Sequence, residues 1–161
     1  MIKISPSDDI QLSIDKLSRV AKAKNKNETL VLTDGVYRLD KPLVVAGHVS
    51  LTSEGKGRRS VRLLFSDVQS DTALVTVKNC NGIVFDGINI KAFGDANRVI
   101  GLLSESNSSA TFSNFDIELQ LGFDCIGLKH QRNKKWGESC IYEKFDIRSE
   151  GSCVEIQGGD N

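Results

Sequence analysis

Lys129-His130-Gln131-Arg132 concentrates groups that move protons and bind anions, with Asp124 just before it in the chain. Glu155 and Asp160 fall in the next repeat of the pattern described below. A carboxylate and an ammonium or imidazole held one strand apart can share acid–base work, so Lys129, His130, Glu155 and Asp160 form the candidate catalytic set. The following residues, Asn133-Lys134-Lys135-Trp136-Gly137-Glu138-Ser139, contain the sole tryptophan and a local excess of positive charge. An indole stacks on flat faces, and basic side chains pair with carboxylates. Arg132, Lys134, Lys135 and Trp136 are therefore the candidate binding set. The plainer reading is a solvated basic loop whose tryptophan covers the side of the domain. His48 lies in an early turn and reads as structural. Gly55-Lys56-Gly57 before Arg58 and Arg59 lacks the Walker spacing and does not lead into a helix, so it does not read as a phosphate loop.

Cys80, Cys125, Cys140 and Cys153 contain no C-x-x-C pair, so no metal site is assigned from the residues. The chain has 161 residues, and 21 basic side chains balance 21 acidic ones. Zero net charge removes the simplest electrostatic case for nucleic acid, an overall basic chain. No run approaches the apolar length of a membrane span. Met1-Ile-Lys-Ile-Ser-Pro lacks the apolar core of a secretory signal, so export is not indicated and reduced thiols are expected.

These groups need a scaffold, and the pattern of the chain supplies one. Residues 5–24 read as a single amphipathic helix. Ser5, Pro6 and Asp8 mark its start, and Ile10, Ile14, Leu17 and Ala21 form its apolar face. The period then shortens to that of strands: Thr29–Thr33, Val36–Leu39, Leu43–Val45, Val49–Leu51 and Val61–Phe65.

The second half repeats. Phe85-Asp86-Gly87-Ile88-Asn89-Ile90 matches Phe112-Ser113-Asn114-Phe115-Asp116-Ile117, and both match Tyr142-Glu143-Lys144-Phe145-Asp146-Ile147. Further columns run through Leu74, Ile100, Ile126 and Val154, through Thr76, Leu102, Leu128 and Ile156, and through Asn81, Asn107, Asn133 and Asn161. This alignment stacks Cys125 and Cys153 as reduced thiols with Ala73 and Val99. It places Glu155 outward with Val75, Gly101 and Gly127, and Lys129 with Gln157. Short strands repeating at this period predict an all-β solenoid, a parallel β-helix of about five coils over residues 29–161. Residues 1–161 then form one domain. Between the asparagine and aromatic columns the third coil is longest, so its extra residues bulge outward as a loop.

Residues Glu28 to Val45, with Asp34-Gly35-Val36-Tyr37 and Pro42-Leu43 at their centre, resemble the opening of the pectate-lyase-like right-handed β-helices. Asn79 to Ile90 resembles the recurrent coil phrase of that superfamily. The resemblance implies a right-handed β-helix with an N-terminal capping α-helix. It implies an extended, acidic polysaccharide as partner and lyase or hydrolase chemistry. The alternative is a non-catalytic glycan-binding or structural module such as a phage tailspike or adhesin segment. It allows Ca2+ as a cofactor and implies an extracellular or virion-associated setting; the charge balance and the lack of an apolar span lead us to expect no nucleic-acid or membrane partner. The paired-aspartate, His-Gly and Arg-x-Lys signatures of the hydrolases are not evident, nor are the aspartates and Arg of the calcium-dependent lyases. No cap follows Val154, Ile156 and Asn161, so further coils or another chain are expected to cover that end.

Overall fold

A computed structural model describes residues 1–55, 60–132 and 139–157. In chain order these form β1 (Ile2–Ile4), α1 (Ile10–Lys24), β2 (Glu28–Leu32), β3 (Gly35–Leu39), β4 (Leu43–Ala46), β5 (Val49–Ser53), β6 (Val61–Phe65) and β7 (Ala73–Lys78). There follow β8 (Val84–Asp86), β9 (Ile88–Phe93), β10 (Ile100–Glu105), β11 (Thr111–Gln120), β12 (Ile126–Gln131), β13 (Ile141–Ser149) and β14 (Ser152–Gln157). All strand pairs are parallel. The chain is a parallel β-solenoid of about five turns, with one short helix near its N-terminus.

The larger sheet runs β1-β2-β5-β8-β11-β9-β6-β3, with β13 also on β11. The smaller runs β14-β12-β10-β7-β4. Strand β11 explains the bend in the larger sheet. Its first residues pair with β8 and its last with β9. Between them Asn114 takes a left-handed conformation (φ 50°) above Gly87 (φ 72°) and below Lys144 (φ 53°). At Gly87 a Cβ would lie 1.9 Å from Ser53 Oγ, so a side chain here would have to displace Ser53 as well as hold a left-handed conformation.

The aromatic repeat forms as expected. Phe112 pairs with Phe85 and Tyr142, and Phe115 with Phe145. The rings of Phe112 and Tyr142 stack with centroids 4.8 Å apart, and those of Phe115 and Phe145 5.2 Å apart. Ile90, Ile117 and Ile147 continue the interior beside them. On the smaller sheet Leu43, Val75, Leu102, Leu128 and Val154 form one column.

That register departs from the sequence reading at two joints. Ile100 pairs with Ala73, not Leu74, and Ile126 with Ser152, not Val154. Apolar residues recur at alternate positions, so matching residue types leaves a slip of one or two open, and backbone pairing decides it. The consequences are local. Gly151, not Cys153, lies against Cys125, so the two thiols are not stacked. Asn107 sits beside Cys80, while Asn81 bridges to Ser108. Asn133 and Asn161 lie outside the described residues.

The helix starts later than its sequence signature. Ser5 and Asp8 close a turn of their own, with Ser5 N–H donating to Asp8 Oδ2 at 2.7 Å. Asp9 is the true cap and accepts from Leu12 N–H at 2.9 Å. The predicted face, Ile10, Ile14, Leu17 and Ala21, is buried. Strand β4 is the edge of its sheet, and Gln11 seals it: Val44 N–H donates to Gln11 Oε1 at 2.8 Å, and Gln11 Nε2 donates to Val44 O at 3.1 Å.

All four cysteines are free; Cys80 and Cys125 are buried and Cys153 is exposed. Burial pushes the Cys80 thiol up to about 12. Alkylation of the folded protein near neutral pH is therefore expected to mark Cys153 first. Cys80 and Cys125 should react only on unfolding, as peptide mass spectrometry with and without urea would show.

Candidate functional site

The acid–base set splits. Lys129 and Glu155 are direct partners on β12 and β14 and form an ion pair at 3.1 Å. Glu155 therefore does not share a column with Val75, Gly101 and Gly127, and Gln157 pairs with Gln131, not Lys129. His130 is partly buried, and its Nδ1 meets Tyr142 OH at 2.8 Å and Ser104 Oγ at 3.4 Å. Its ring thus packs on the aromatic column and away from Lys129's partner. Arg132 N–H donates to Gln157 O at 3.3 Å. Lys134, Lys135, Trp136 and Asp160 lie outside the described residues.

A second constellation occupies the outer face of the larger sheet. Two columns of side chains line a cleft of about 320 Å³: Arg62, Asn89, Asp116 and Asp146 in one, Lys91, Glu118 and Arg148 in the other. Register creates both. Arg62 pairs with Asn89, and Asp116 with Asp146. Asn89 is buried and its Oδ1 accepts from Asp116 N–H at 3.1 Å, which ties the two halves together. Lys91 pairs with Glu118, and Glu118 with Arg148.

Most of these charges are engaged. Lys91 Nζ donates to Glu118 Oε2, and Arg148 Nη2 donates to Asp146 Oδ2 at 3.4 Å. Arg62 differs: its Nε is buried and has no hydrogen-bond partner among the described residues.

The cleft's signal was present in the repeat. The Asn or Asp before each final Ile is Asn89, Asp116 and Asp146, and the residue after that Ile is Lys91, Glu118 or Arg148. Read as architecture, these positions mark a ladder. Their outward direction shows only once the strands are paired.

The Lys91 ammonium holds the Glu118 carboxyl below its usual range, and the Arg98 guanidinium does the same for Asp71. The N-terminal ammonium and Lys24 act likewise on Glu28. A carboxyl depressed in the folded state stabilises above its unfolded value of about 4, and that contribution is lost as pH falls through the lower folded value. From these carboxyls the thermal midpoint should be level between about pH 5 and pH 8 and fall below about pH 4. A midpoint unchanged down to about pH 3 would contradict this.

Among the described residues no three His, Cys, Asp or Glu side chains converge as metal ligands. Fold and cleft together define a parallel β-solenoid that presents a polar side face. No family model matches the chain, and neither does any curated protein or solved structure.

Proposed function

We propose that the protein acts on an extended, acidic polysaccharide lying along the outer face of the larger sheet, by hydrolysis. The observation behind this reading is the pairing of Asp116 with Asp146 in a cleft that also holds Arg62, Lys91 and Arg148. Neighbouring strands lie about 4.8 Å apart. Carboxyl groups on paired residues of neighbouring strands can reach the separation of about 5–5.5 Å used by hydrolases in which one attacks the anomeric carbon and the other protonates the leaving oxygen. The cations offer partners for sugar carboxylates. Elimination draws less support, because Lys91 and Lys129 are each engaged by a carboxylate.

The test is incubation with a panel of uronate-containing polysaccharides, with and without Ca2+. New reducing ends without ultraviolet-absorbing unsaturated products support hydrolysis. Unsaturated products would move the reading to lyase chemistry.

One observation favours a second reading, a non-catalytic glycan-binding module. The foremost acid–base pair in the sequence, Lys129 and Glu155, neutralises itself across one rung. Retention on the glycan without cleavage supports that reading.

A further inference from the structure

Among the described residues the cleft mixes charges evenly: Arg62, Lys91 and Arg148 stand against Asp116, Glu118 and Asp146. Lys91 and Arg148 already contact carboxylates. Arg62 stands apart, in β6 between Val36 of β3 and Asn89 of β9, with its Nε buried and unpartnered among the described residues. A buried N–H without an acceptor is destabilising, and native proteins keep few of them. The guanidinium edge fits planar oxyanions, and a partly desolvated one binds them more strongly than an exposed one. The volume, about 320 Å³, lies at the small end for ligand sites and suits a sugar unit or small anion.

We propose that Arg62 is an oxyanion-recognising residue, with its Nε–H donating to a single carboxylate or sulfate of a ligand seated in this cleft. The even charge balance sets the class more narrowly. A ligand with one isolated negative charge per unit can reach Arg62 and leave its other atoms beside the acids. A densely charged polyanion would bring further negative groups against Asp116, Glu118 and Asp146. The uronate form of this inference rests on the polysaccharide reading above; the anion site itself does not.

The test follows the Arg62 Nε–Hε resonance of 15N-labelled protein. The titrants are a galacturonate oligomer, the same oligomer with its carboxyls reduced, inorganic sulfate, and a heavily sulfated polymer. The expected result is a saturable shift with the galacturonate oligomer and with sulfate, and none with the reduced oligomer. The heavily sulfated polymer should bind more weakly per chain than the galacturonate oligomer. Arg62→Gln should weaken galacturonate binding by about tenfold or more, and Arg62→Lys should restore little of it, because an ammonium lacks the planar fork. The wild-type resonance stands as a readout even if a variant folds poorly.

An Arg62 signal that no titrant moves overturns the proposal. If the oligomer shifts other resonances alone, polysaccharide binding stands and Arg62 recognition falls. Equal binding of the reduced oligomer also overturns it. A shift with sulfate but with neither oligomer keeps the anion site and removes its polysaccharide ligand. Tighter binding of the heavily sulfated polymer overturns the claim about spaced charge.

Discussion

Replacing Asn107 with leucine is expected to lower the unfolding free energy by about 3 kcal/mol or more, among the largest losses for a single substitution here. Asn107 is fully buried, and its amide joins three groups. Its Oδ1 accepts from Cys80 N–H at 2.9 Å, and its Nδ2 donates to Val77 O at 2.8 Å and Ser104 Oγ at 2.9 Å. Leucine has similar volume and no polar atoms, so it leaves those groups buried and unpaired at about 1–3 kcal/mol each. Added apolar burial offsets only part of this. The effect should appear as a lower urea midpoint at nearly constant slope. Asn107→Asp separates the terms: it can keep the bond from Cys80 N–H but loses both Nδ2 donations and buries a charge. A leucine variant within about 0.5 kcal/mol of wild type would show that the amide bonds count for little.

The second large effect concerns chemistry. If Asp116 and Asp146 divide the roles of nucleophile and acid, Asp116→Asn and Asp146→Asn should each lower cleavage by about 10²–10⁴-fold. Glycan binding should persist. Asp146 is half exposed beside Arg148, so its replacement should shift stability by about 0.5 kcal/mol at most. Initial rates of reducing-end release, measured alongside binding, distinguish lost chemistry from lost affinity. Wild-type cleavage rates in both variants would remove these carboxylates from the reaction.

The aromatic columns are legible in the sequence because Phe85, Phe112 and Tyr142 are scarce, large residues embedded in a longer phrase. The α1 face is legible because Ile10, Ile14, Leu17 and Ala21 recur at helical spacing. The register of β7 and β14 is not, because valine, leucine and isoleucine are interchangeable as column fillers. Matching asparagine with asparagine put Asn81 where Cys80 stands; both supply a backbone group to the turn, but only Cys80's N–H meets Asn107. Gln11 at the β4 edge is invisible in sequence, since its partner Val44 is 33 residues away. Lys129 and Glu155 are correctly placed on neighbouring strands, yet their ion pair depends on a two-residue register. The Asp116–Asp146 cleft lies within the quoted repeats and was masked by their regularity.

The distance along the chain between paired residues is not constant. Phe85 to Phe112 spans 27 residues and Phe112 to Tyr142 spans 30, yet each is a direct partner. On the smaller sheet Leu102 to Leu128 and Leu128 to Val154 each span 26. Length is therefore absorbed between strands, and the rungs keep their alignment. Insertions and deletions can accumulate in those connections without rewriting the core. Whatever the side face recognises can thus diversify by changes in connection length, a freedom that a fold with interlocked long-range loops does not have.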